Sequence, residues 1–316
     1  MTHIIRLSTA LLVSAPLLGA AQTSAPTDTP AVAGHLAKAR QAAGSEWTPT
    51  FEFVCKVNPD RANRADDPLI EPTKVFDNLF AIGRLGTVVY AVTTSAGVVL
   101  IDSGYADQIE TVLLPGLRQA GLDPANVRYV LLGHGHGDHF GGAAYFQQRG
   151  ARVVSTAADW DLMAKAPPMP QPPTRDVVAV EGQAIVVGDV SFTPVAVPGH
   201  TPGALGYIFP VRDGKTTHTA GLFGGSILIP TKIADDALQQ YIRSIEHFGD
   251  VARNMGVDVE IQNHPLYDGF EQKLQRLRAR RPADPHPFVV GRDGYQRFLT
   301  VMAECTRAQV ERRRSL

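Results

Sequence analysis

The chain of 316 residues is 44% hydrophobic, which is enough apolar material to bury a full core. Its 30 lysine and arginine residues balance 31 aspartate and glutamate residues, giving a formal net charge of -1. This balance argues against nucleic-acid binding and against stable association with an anionic membrane, and it favours a small-molecule substrate. The oligomeric state is not indicated by composition.

The first 25 residues have the pattern of a secretory signal peptide. Met1 to Arg6 is weakly basic, Leu7 to Ala20 is mostly apolar without a charge, and small residues continue to Ala25. Because this apolar run is short for a bilayer span, we expect export to the periplasm or secretion. An uncleaved anchor or an N-terminal apolar helix is the alternative.

The chain has only two cysteines, Cys55 and Cys305, which lie near opposite ends of the mature sequence. In an oxidising compartment this pair can form a disulfide that ties the N-terminal segment to the last helix. Two buried free thiols are the alternative, since reduced cysteine is commonly buried.

Residues 26–74 form an N-terminal extension, with a short helix predicted at His35 to Ala43 and an irregular segment from Glu46 to Thr73. Residues 75–316 form the main domain, where β-rich runs alternate with helical periods. The predicted strands of its first half are Val75 to Ile82, Thr87 to Thr93, Val98 to Ile101, Tyr129 to Leu132 and Val153 to Ser155. The predicted helices of this half are Ala106 to Ala120, Gly142 to Gly150 and Ala157 to Ala164.

A proline-rich break from Ala166 to Pro173 predicts a linker or a lid before the second half. The strands predicted after it are Val177 to Val180, Ala184 to Val187, Ser191 to Val197, Leu205 to Pro210, Thr216 to Phe223 and Val257 to Ile261. The helices predicted there are Asp235 to Met255, Gly269 to Arg280 and Asp293 to Arg313. Two halves that each pass from strands to helices predict an α/β sandwich of two sheets with helices outside.

A cluster of potential metal ligands follows the strand that ends at Leu132. The stretch Gly133 to Gly142 (GHGHGDHFGG) holds three imidazoles, one carboxylate and five glycines, and two more histidines, His200 (VPGHTPG) and His264 (IQNHP), follow later strands. Six such side chains suffice for two zinc ions, each with three protein ligands and an open position for water. The remaining histidines are interpreted as solvated or hydrogen-bonded: His3, His35, His218, His247 and His286.

This pattern resembles the metallo-β-lactamase superfamily, with His134-x-His136-x-Asp138-His139 followed by the two later histidines. The resemblance extends from about Val75 to the C terminus and implies an αββα sandwich with two mixed β-sheets flanked by helices. It implies a centre with two Zn2+ ions, whose ligands fall into two sets. The first set is His134, His136 and His200; the second is Asp138, His139 and His264.

The segment Leu222 to Leu228 (LFGGSIL) narrows the reaction that the resemblance implies. Glyoxalase-type thioesterases, lactonases and tRNA-processing nucleases of the superfamily usually carry a metal-bridging aspartate here, where this chain has Gly225. The segment is similar to the Gly-Gly-Cys of common metallo-β-lactamases, with Ser226 in place of the cysteine ligand. That is the pattern of their third subclass, so the resemblance implies a periplasmic enzyme in which a metal-bound hydroxide opens the β-lactam ring.

The resemblance also implies roles for individual residues. Asp138 would orient the attacking hydroxide as a catalytic residue, and Asp102, in IDSG, would orient a ligand without binding metal. Ser226 would hydrogen-bond the substrate carboxylate, or it is simply a small residue chosen for packing. Thr231 and Lys232 are further candidates for binding substrate.

Two other hypotheses stay open. The motif specifies the fold more closely than the substrate, so the chain is alternatively an exported dizinc hydrolase of another ester, lactone or sulfate ester. A non-catalytic zinc-binding module that kept the fold is the third hypothesis, and the intact set of six ligands argues against it. The sequence does not specify which β-lactam is preferred or how many zinc ions are bound in vivo.

Overall fold

The computed structural model describes residues 28–56, 67–166, 171–228 and 233–315. The predicted signal peptide and the candidate residues Thr231 and Lys232 lie outside this part of the chain. Among the helices of the described ranges, none combines the length and the apolar character needed to span a bilayer.

Seven strands form the first sheet, and they lie in it in chain order. They are β1 (Leu69–Phe76), β2 (Leu79–Arg84), β3 (Thr87–Thr94), β4 (Gly97–Ile101), β5 (Val127–Leu131), β6 (Arg152–Ser155) and β7 (Val177–Val178). Neighbours from β1 to β4 are antiparallel, whereas those from β4 to β7 are parallel. The first sheet is therefore mixed.

Five strands form the second sheet, in the order β12-β11-β10-β9-β8. They are β8 (Ile185–Val187), β9 (Val190–Ala196), β10 (Leu205–Asp213), β11 (Thr216–Leu222) and β12 (Val259–Ile261). Strands β8 to β11 pair antiparallel, and β12 adds to β11 in parallel, so this sheet is mixed as well. Two mixed sheets were predicted, and this prediction is confirmed.

Helices lie before, between and after the strands. The α-helices are α1 (Pro30–Ala43), α2 (Thr48–Phe51), α3 (Leu114–Gln119), α4 (Gly137–Phe140), α5 (Ala143–Gln147), α6 (Ala157–Met163), α7 (Asp235–Asn254), α8 (Phe270–Ala279) and α9 (Gly291–Arg314). In the described ranges there are also two π-helical turns, Glu52–Lys56 and Ile109–Leu113, and two 3-10 turns, Ala106–Gln108 and Pro124–Asn126.

Strand β3 shows how the sequence produces the layers. Side chains alternate between the two faces of a strand, so Val88, Tyr90 and Val92 enter the core between the sheets. Val89 and Ala91 point the other way, into an apolar layer shared with α3, α5 and α6. Because both faces are covered, the strand is apolar at successive positions.

The outer face of the second sheet is covered by α7, α9 and the N-terminal helices, which share a second apolar layer with β9 and β10. The order of layers is thus helix, sheet, sheet, helix. This is the αββα sandwich that the sequence predicted.

Cys55 and Cys305 form a disulfide, with their Cα atoms 4.7 Å apart and a sequence separation of 250. The bond joins the π-helical turn after α2 to the middle of α9. Of the two states considered from sequence, the disulfide is confirmed and the pair of free thiols is excluded.

Two predictions of local structure were wrong. The segment from Glu46 to Thr73 contains α2, a π-helical turn and the start of β1, although it was expected to be irregular. The run Val75 to Ile82 is divided between β1 and β2 by a turn at Asp77 and Asn78. That turn is held by β10, since the Asn78 side chain bonds the carbonyl of Pro210 at 3.2 Å and the N–H of Arg212 at 2.9 Å. A local pattern carries no information about such a distant partner.

Candidate metal centre

The potential ligands gather at one edge of the sandwich because each follows the end of a strand. His134 comes after β5 and His264 after β12, whereas His200 lies in the connection between β9 and β10. The short helix α4 carries Asp138 and His139. Side chains that follow neighbouring strand ends meet at the same edge of a sheet, as they do in other α/β folds.

Three imidazoles form what we call the first triad: His134, His136 and His200. The Nε2 atom of His200 lies 3.1 Å from Nε2 of His134 and 3.0 Å from Nδ1 of His136. Their three donor atoms all lie within 4.8 Å of one another. No carboxylate belongs to this group, and three converging imidazole nitrogens are a common ligand set for catalytic zinc.

Electrostatics keep the first triad in the form that ligates metal. Burial, reinforced by the neighbouring imidazoles, lowers the pKa of His134 well below its usual value. Burial likewise lowers the pKa of His200 to about 3, with His136 as the next cause. These rings are therefore neutral near pH 7, and a neutral imidazole has a lone pair for a metal ion.

A second triad consists of Asp138, His139 and His264. The two Nε2 atoms lie 2.9 Å apart, and Oδ2 of Asp138 lies 3.3 Å from that of His139 and 3.6 Å from that of His264. Nδ1 of His139 faces Oδ2 of Asp102 at 2.8 Å, and Nδ1 of His264 faces the carbonyl of Gly86 at 2.5 Å. Both partners only accept, so Nδ1 is the donor in each ring, and the two Nε2 atoms face each other with room for a proton or a metal ion between them. A cation accounts for this arrangement.

The second triad attracts positive charge. Burial opposes a charge on His139, but the carboxylates of Asp138 and Asp102 outweigh it and raise its pKa to about 10. Burial also opposes the charge of Asp138, yet His139 lowers the pKa of that carboxyl far below its usual value. One imidazole pair and one carboxylate therefore favour a bound cation, and the donor set fits zinc.

Asp102 joins three parts of the centre. Its Oδ1 accepts from the N–H of Gly133 at 2.7 Å, and its Oδ2 accepts from His139 and from the Asn263 amide at 2.9 Å. Asp102 has a φ of 62°, the left-handed region that non-glycine residues rarely adopt. Its contacts are those of a residue that orients a ligand.

Asp159 of α6 makes a corresponding connection for the first triad, and the sequence did not indicate it. Its Oδ2 accepts from the N–H of Gly135 at 2.7 Å and from the Thr201 hydroxyl at 2.8 Å, and its Oδ1 accepts from the N–H of Gly203 at 2.8 Å. The buried carboxylate thereby ties the loop of His134 and His136 to the loop of His200. Asn263 was missed as well, because single hydrogen-bonding side chains leave no recurring pattern.

The segment after β11 places backbone against the first triad. Gly225 has a φ of 66°, and a Cβ added there would lie 2.7 Å from Cβ of His200. A side chain at this position would have a strained backbone conformation and would displace His200. The next residue, Ser226, is 3% exposed, and its carbonyl accepts from the Tyr241 hydroxyl at 2.9 Å. Its predicted contact with substrate stays a prediction.

The other histidines of the described ranges lie outside the two triads and have their own partners. His35 pairs with Glu304 and His218 with Asp258, both at 2.7 Å. His247 bonds Glu181, and His286 bonds the carbonyl of Val75 at 2.9 Å. His3 lies outside the described residues.

Residues 82–214 match the family model of the metallo-β-lactamase superfamily. This stretch, about two fifths of the chain, is similar to members of that superfamily. The match covers the loop of the first triad and the connection that carries His200, and the resemblance noted from the sequence is thereby confirmed.

Solved metallo-β-lactamases share the fold. BJP-1, a subclass B3 metallo-β-lactamase of Bradyrhizobium japonicum, is 24% identical, with a TM-score of 0.63 over 75% of this chain and 90% of that one. Native FEZ-1 metallo-β-lactamase of Legionella gormanii is 20% identical, with a TM-score of 0.64 over 73% of this chain and 92% of that one. At these identities the likeness concerns the fold alone.

The curated relatives that match part of the chain are hydroxyacylglutathione hydrolases, not β-lactamases. A hydroxyacylglutathione hydrolase of Xanthomonas axonopodis pv. citri is 36% identical over 111 residues, which are 35% of this chain and 37% of that protein. One of Pseudomonas aeruginosa is 30% identical over 142 residues, 42% of this chain and 48% of that protein. The chain thus matches less than half the length of these two relatives.

Proposed function

We propose that the protein is an exported hydrolase that binds two zinc ions and opens the β-lactam ring. Two ligand triads with different donor sets support two ions: the three imidazoles for one, and Asp138 with the imidazoles of His139 and His264 for the other. The fold shared with solved metallo-β-lactamases agrees with this reaction class.

The absence of a carboxylate from the segment Leu222 to Leu228 (LFGGSIL) is the observation that carries the choice of substrate. Glyoxalase-type thioesterases and lactonases of the superfamily usually have a bridging aspartate in this segment, whereas this chain has Gly225 and Ser226 and no carboxylate there. Without a bridging carboxylate the two ligand sets are those of the third subclass of metallo-β-lactamases. A β-lactam is therefore the substrate that this centre favours.

The residues of the centre have different roles in the proposed reaction. Bound zinc would supply a water of pKa about 7 instead of about 15.7, together with a Lewis acid for the substrate carbonyl. Asp138, whose side chain is 22% exposed, accepts a hydrogen bond from the attacking water and orients it towards the carbonyl carbon. Asp102 and Asp159 accept hydrogen bonds that fix the positions of the ligand loops. The loops therefore move little during the reaction.

A second candidate is the hydrolysis of hydroxyacylglutathione or of another ester, lactone or sulfate ester. The observation that favours it is the name of the curated relatives. They match only part of this chain, and the lack of a carboxylate from Leu222 to Leu228 argues against this reaction.

The two candidates are separated by assaying zinc-loaded protein on nitrocefin, a penam, a carbapenem and hydroxyacylglutathione, with a chelator as control. We expect hydrolysis of at least one β-lactam that chelation abolishes, and weaker turnover of hydroxyacylglutathione. Turnover of hydroxyacylglutathione with inert β-lactams would establish the second candidate. A zinc-loaded protein inert towards every substrate, esters and lactones included, would be a non-catalytic zinc-binding module.

We also propose that the protein acts in the periplasm or outside the cell, with residues 26–74 as an extension of a main domain that begins near residue 75. The pattern of residues 1–25 supports export. The disulfide agrees with it, because such bonds persist mainly in oxidising compartments. N-terminal sequencing of the mature protein tests this, and a retained Met1 would contradict cleavage.

A further inference from the structure

The N-terminal segment Thr48–Lys56 contacts the chain just after His264. The Thr50 hydroxyl donates to the carbonyl of Tyr267 at 3.0 Å, in a buried position. The Phe53 ring stacks on the Tyr267 ring, with centroids 5.4 Å apart and planes at 22°. Tyr267 is thus held by this segment through both its backbone and its side chain.

Tyr267 also contacts α9. Its ring is almost parallel to that of Phe298, at 6.3 Å and 6°, and the residue is fully buried. Tyr267 therefore lies between the N-terminal segment and α9. Removing either neighbour would expose an aromatic side chain and free the chain that follows His264.

The chain on the two sides of His264 is held by different elements. Before it, the Asn263 carbonyl accepts from the N–H of Val88 in β3 at 2.8 Å, and the Asn263 side chain bonds Asp102. After it, Tyr267 is the residue anchored by the N-terminal segment. The position of His264 depends on the residues before it and on the residues after it. Because the N-terminal segment anchors the residues after it, this segment affects the position of His264.

The disulfide fastens this segment at its other end. Cys55 lies five residues after Thr50 and is bonded to Cys305 of α9, the helix that also carries Phe298. Arg312 of α9 adds a hydrogen bond to the carbonyl of Cys55 at 3.2 Å. The segment, α9 and Tyr267 therefore form a closed set of contacts that includes one covalent bond.

We propose that the segment Thr48–Lys56 is a positioning element of the second triad, and that the Cys55–Cys305 bond sets the metal affinity of that triad. This inference rests on the proposed two-zinc centre. The loops of the first triad are tied to α6 through Asp159, so we expect the segment to affect the first triad less.

The test is a competition titration with a chromophoric zinc chelator, which resolves the two binding steps. It compares wild-type protein, the double variant Cys55→Ser/Cys305→Ser, and Thr50→Val, which removes the hydroxyl and keeps the disulfide. His264→Ala provides the reference for a protein with the first triad alone. We expect the weaker step to lose about tenfold in affinity in the double variant and less in Thr50→Val, with the tight step unchanged.

Leu117→Ala in α3 is the matched control, since it removes buried apolar contacts far from the segment. It is expected to lower the unfolding midpoint and to leave both zinc affinities unchanged. Equal loss in both steps of the cysteine and threonine variants, or no loss in either step, would overturn the inference. Wild-type protein that binds fewer than two zinc ions would instead remove the two-zinc centre itself, and this inference with it.

Discussion

Two buried carboxylates, Asp102 and Asp159, connect the loops that carry the potential ligands. Each accepts three hydrogen bonds, and each reaches two separate loops of the centre. Hydrogen bonds to an ionised group contribute more than neutral ones, and a buried donor left without its acceptor costs about 1–3 kcal/mol. Both residues are therefore sensitive positions although neither belongs to a triad.

Asp159→Asn tests the connection at the first triad. An asparagine presents an NH2 group where one carboxylate oxygen accepted, so at least one N–H of Gly135 or Gly203 loses its partner. We expect zinc affinity at the first triad to fall by about tenfold, with the second step unchanged, in a chelator competition titration. Asp161→Asn, an exposed position of the same helix, is the control. Unchanged affinity in Asp159→Asn would contradict the connection.

Asp138→Asn tests the proposed catalytic carboxylate. The substitution keeps the shape of the side chain and removes its charge and half of its acceptor capacity. We expect kcat/KM on nitrocefin to fall by about 100-fold or more, while the first triad still binds zinc. Activity within a factor of a few of wild type would remove Asp138 from the mechanism, and Asp161→Asn again serves as the control.

Among single residues, the sequence could identify those that belong to a recognisable local motif. Four potential ligands share one glycine-rich stretch, and His200 and His264 stand out because each follows a strand, so all six could be named beforehand. The structure brings the six side chains together. Asp159 could not be found, since a carboxylate on a helix is usually solvated and its partners lie in loops 24 to 44 residues away.

Among the elements, β10 and α8 are linked by an ion pair at their ends. Arg280 donates to both carboxylate oxygens of Asp213, at 2.9 Å and 2.6 Å, and the two side chains are 19% and 28% exposed. The hydrogen bonds from Arg280 hold the pKa of Asp213 below its usual value. A two-pronged pair of this kind stabilises the native state only while the carboxyl is ionised.

Asp213→Asn therefore has a pH-dependent effect on the free energy of unfolding. The native pKa lies below the unfolded value of about 3.9, so the stabilisation is present above that pH and is lost as pH falls through the native pKa. We expect metal-free Asp213→Asn to be about 1 kcal/mol less stable than wild type at pH 7, and the difference to vanish near pH 2. Urea titrations at several pH values measure it.

Asp250→Asn, where the side chain is 71% exposed, is the control and should show no such trend. A difference between wild type and Asp213→Asn that stays constant down to pH 2 would contradict the assignment.

The elements were predictable where alternation or helical period was strong. Helix α7 was predicted at Asp235 to Met255 and ends at Asn254. Such local patterns failed where tertiary contacts decide the backbone. The turn at Asp77 and Asn78 depends on β10, and α2 depends on packing against α9, so neither has a local pattern.

On the scale of the whole molecule, one covalent bond connects the N-terminal segment to the last helix. It closes a loop of 250 residues in sequence, so it restricts the unfolded chain much more than it restricts the folded one. The αββα layers themselves followed from the order of strands and helices and from the resemblance. The pairing of the cysteines did not, because sequence gives no distance between them.

The double variant Cys55→Ser/Cys305→Ser should accordingly be less stable by about 2–5 kcal/mol in equilibrium unfolding. The measurement uses metal-free protein, so that zinc contributes nothing to the difference. Equal unfolding free energies for oxidised wild type and the variant would show that the bond does not stabilise the fold.

The metal content of reconstituted protein tests the two-triad centre most directly. Wild type, His200→Ala and His264→Ala are loaded with excess zinc, desalted and analysed by mass spectrometry for zinc per chain. The two triads predict two ions in the wild type and one in each variant, with His264→Ala keeping the ion of the first triad. Fewer than two ions in the wild type, or two ions in both variants, would contradict the centre described above.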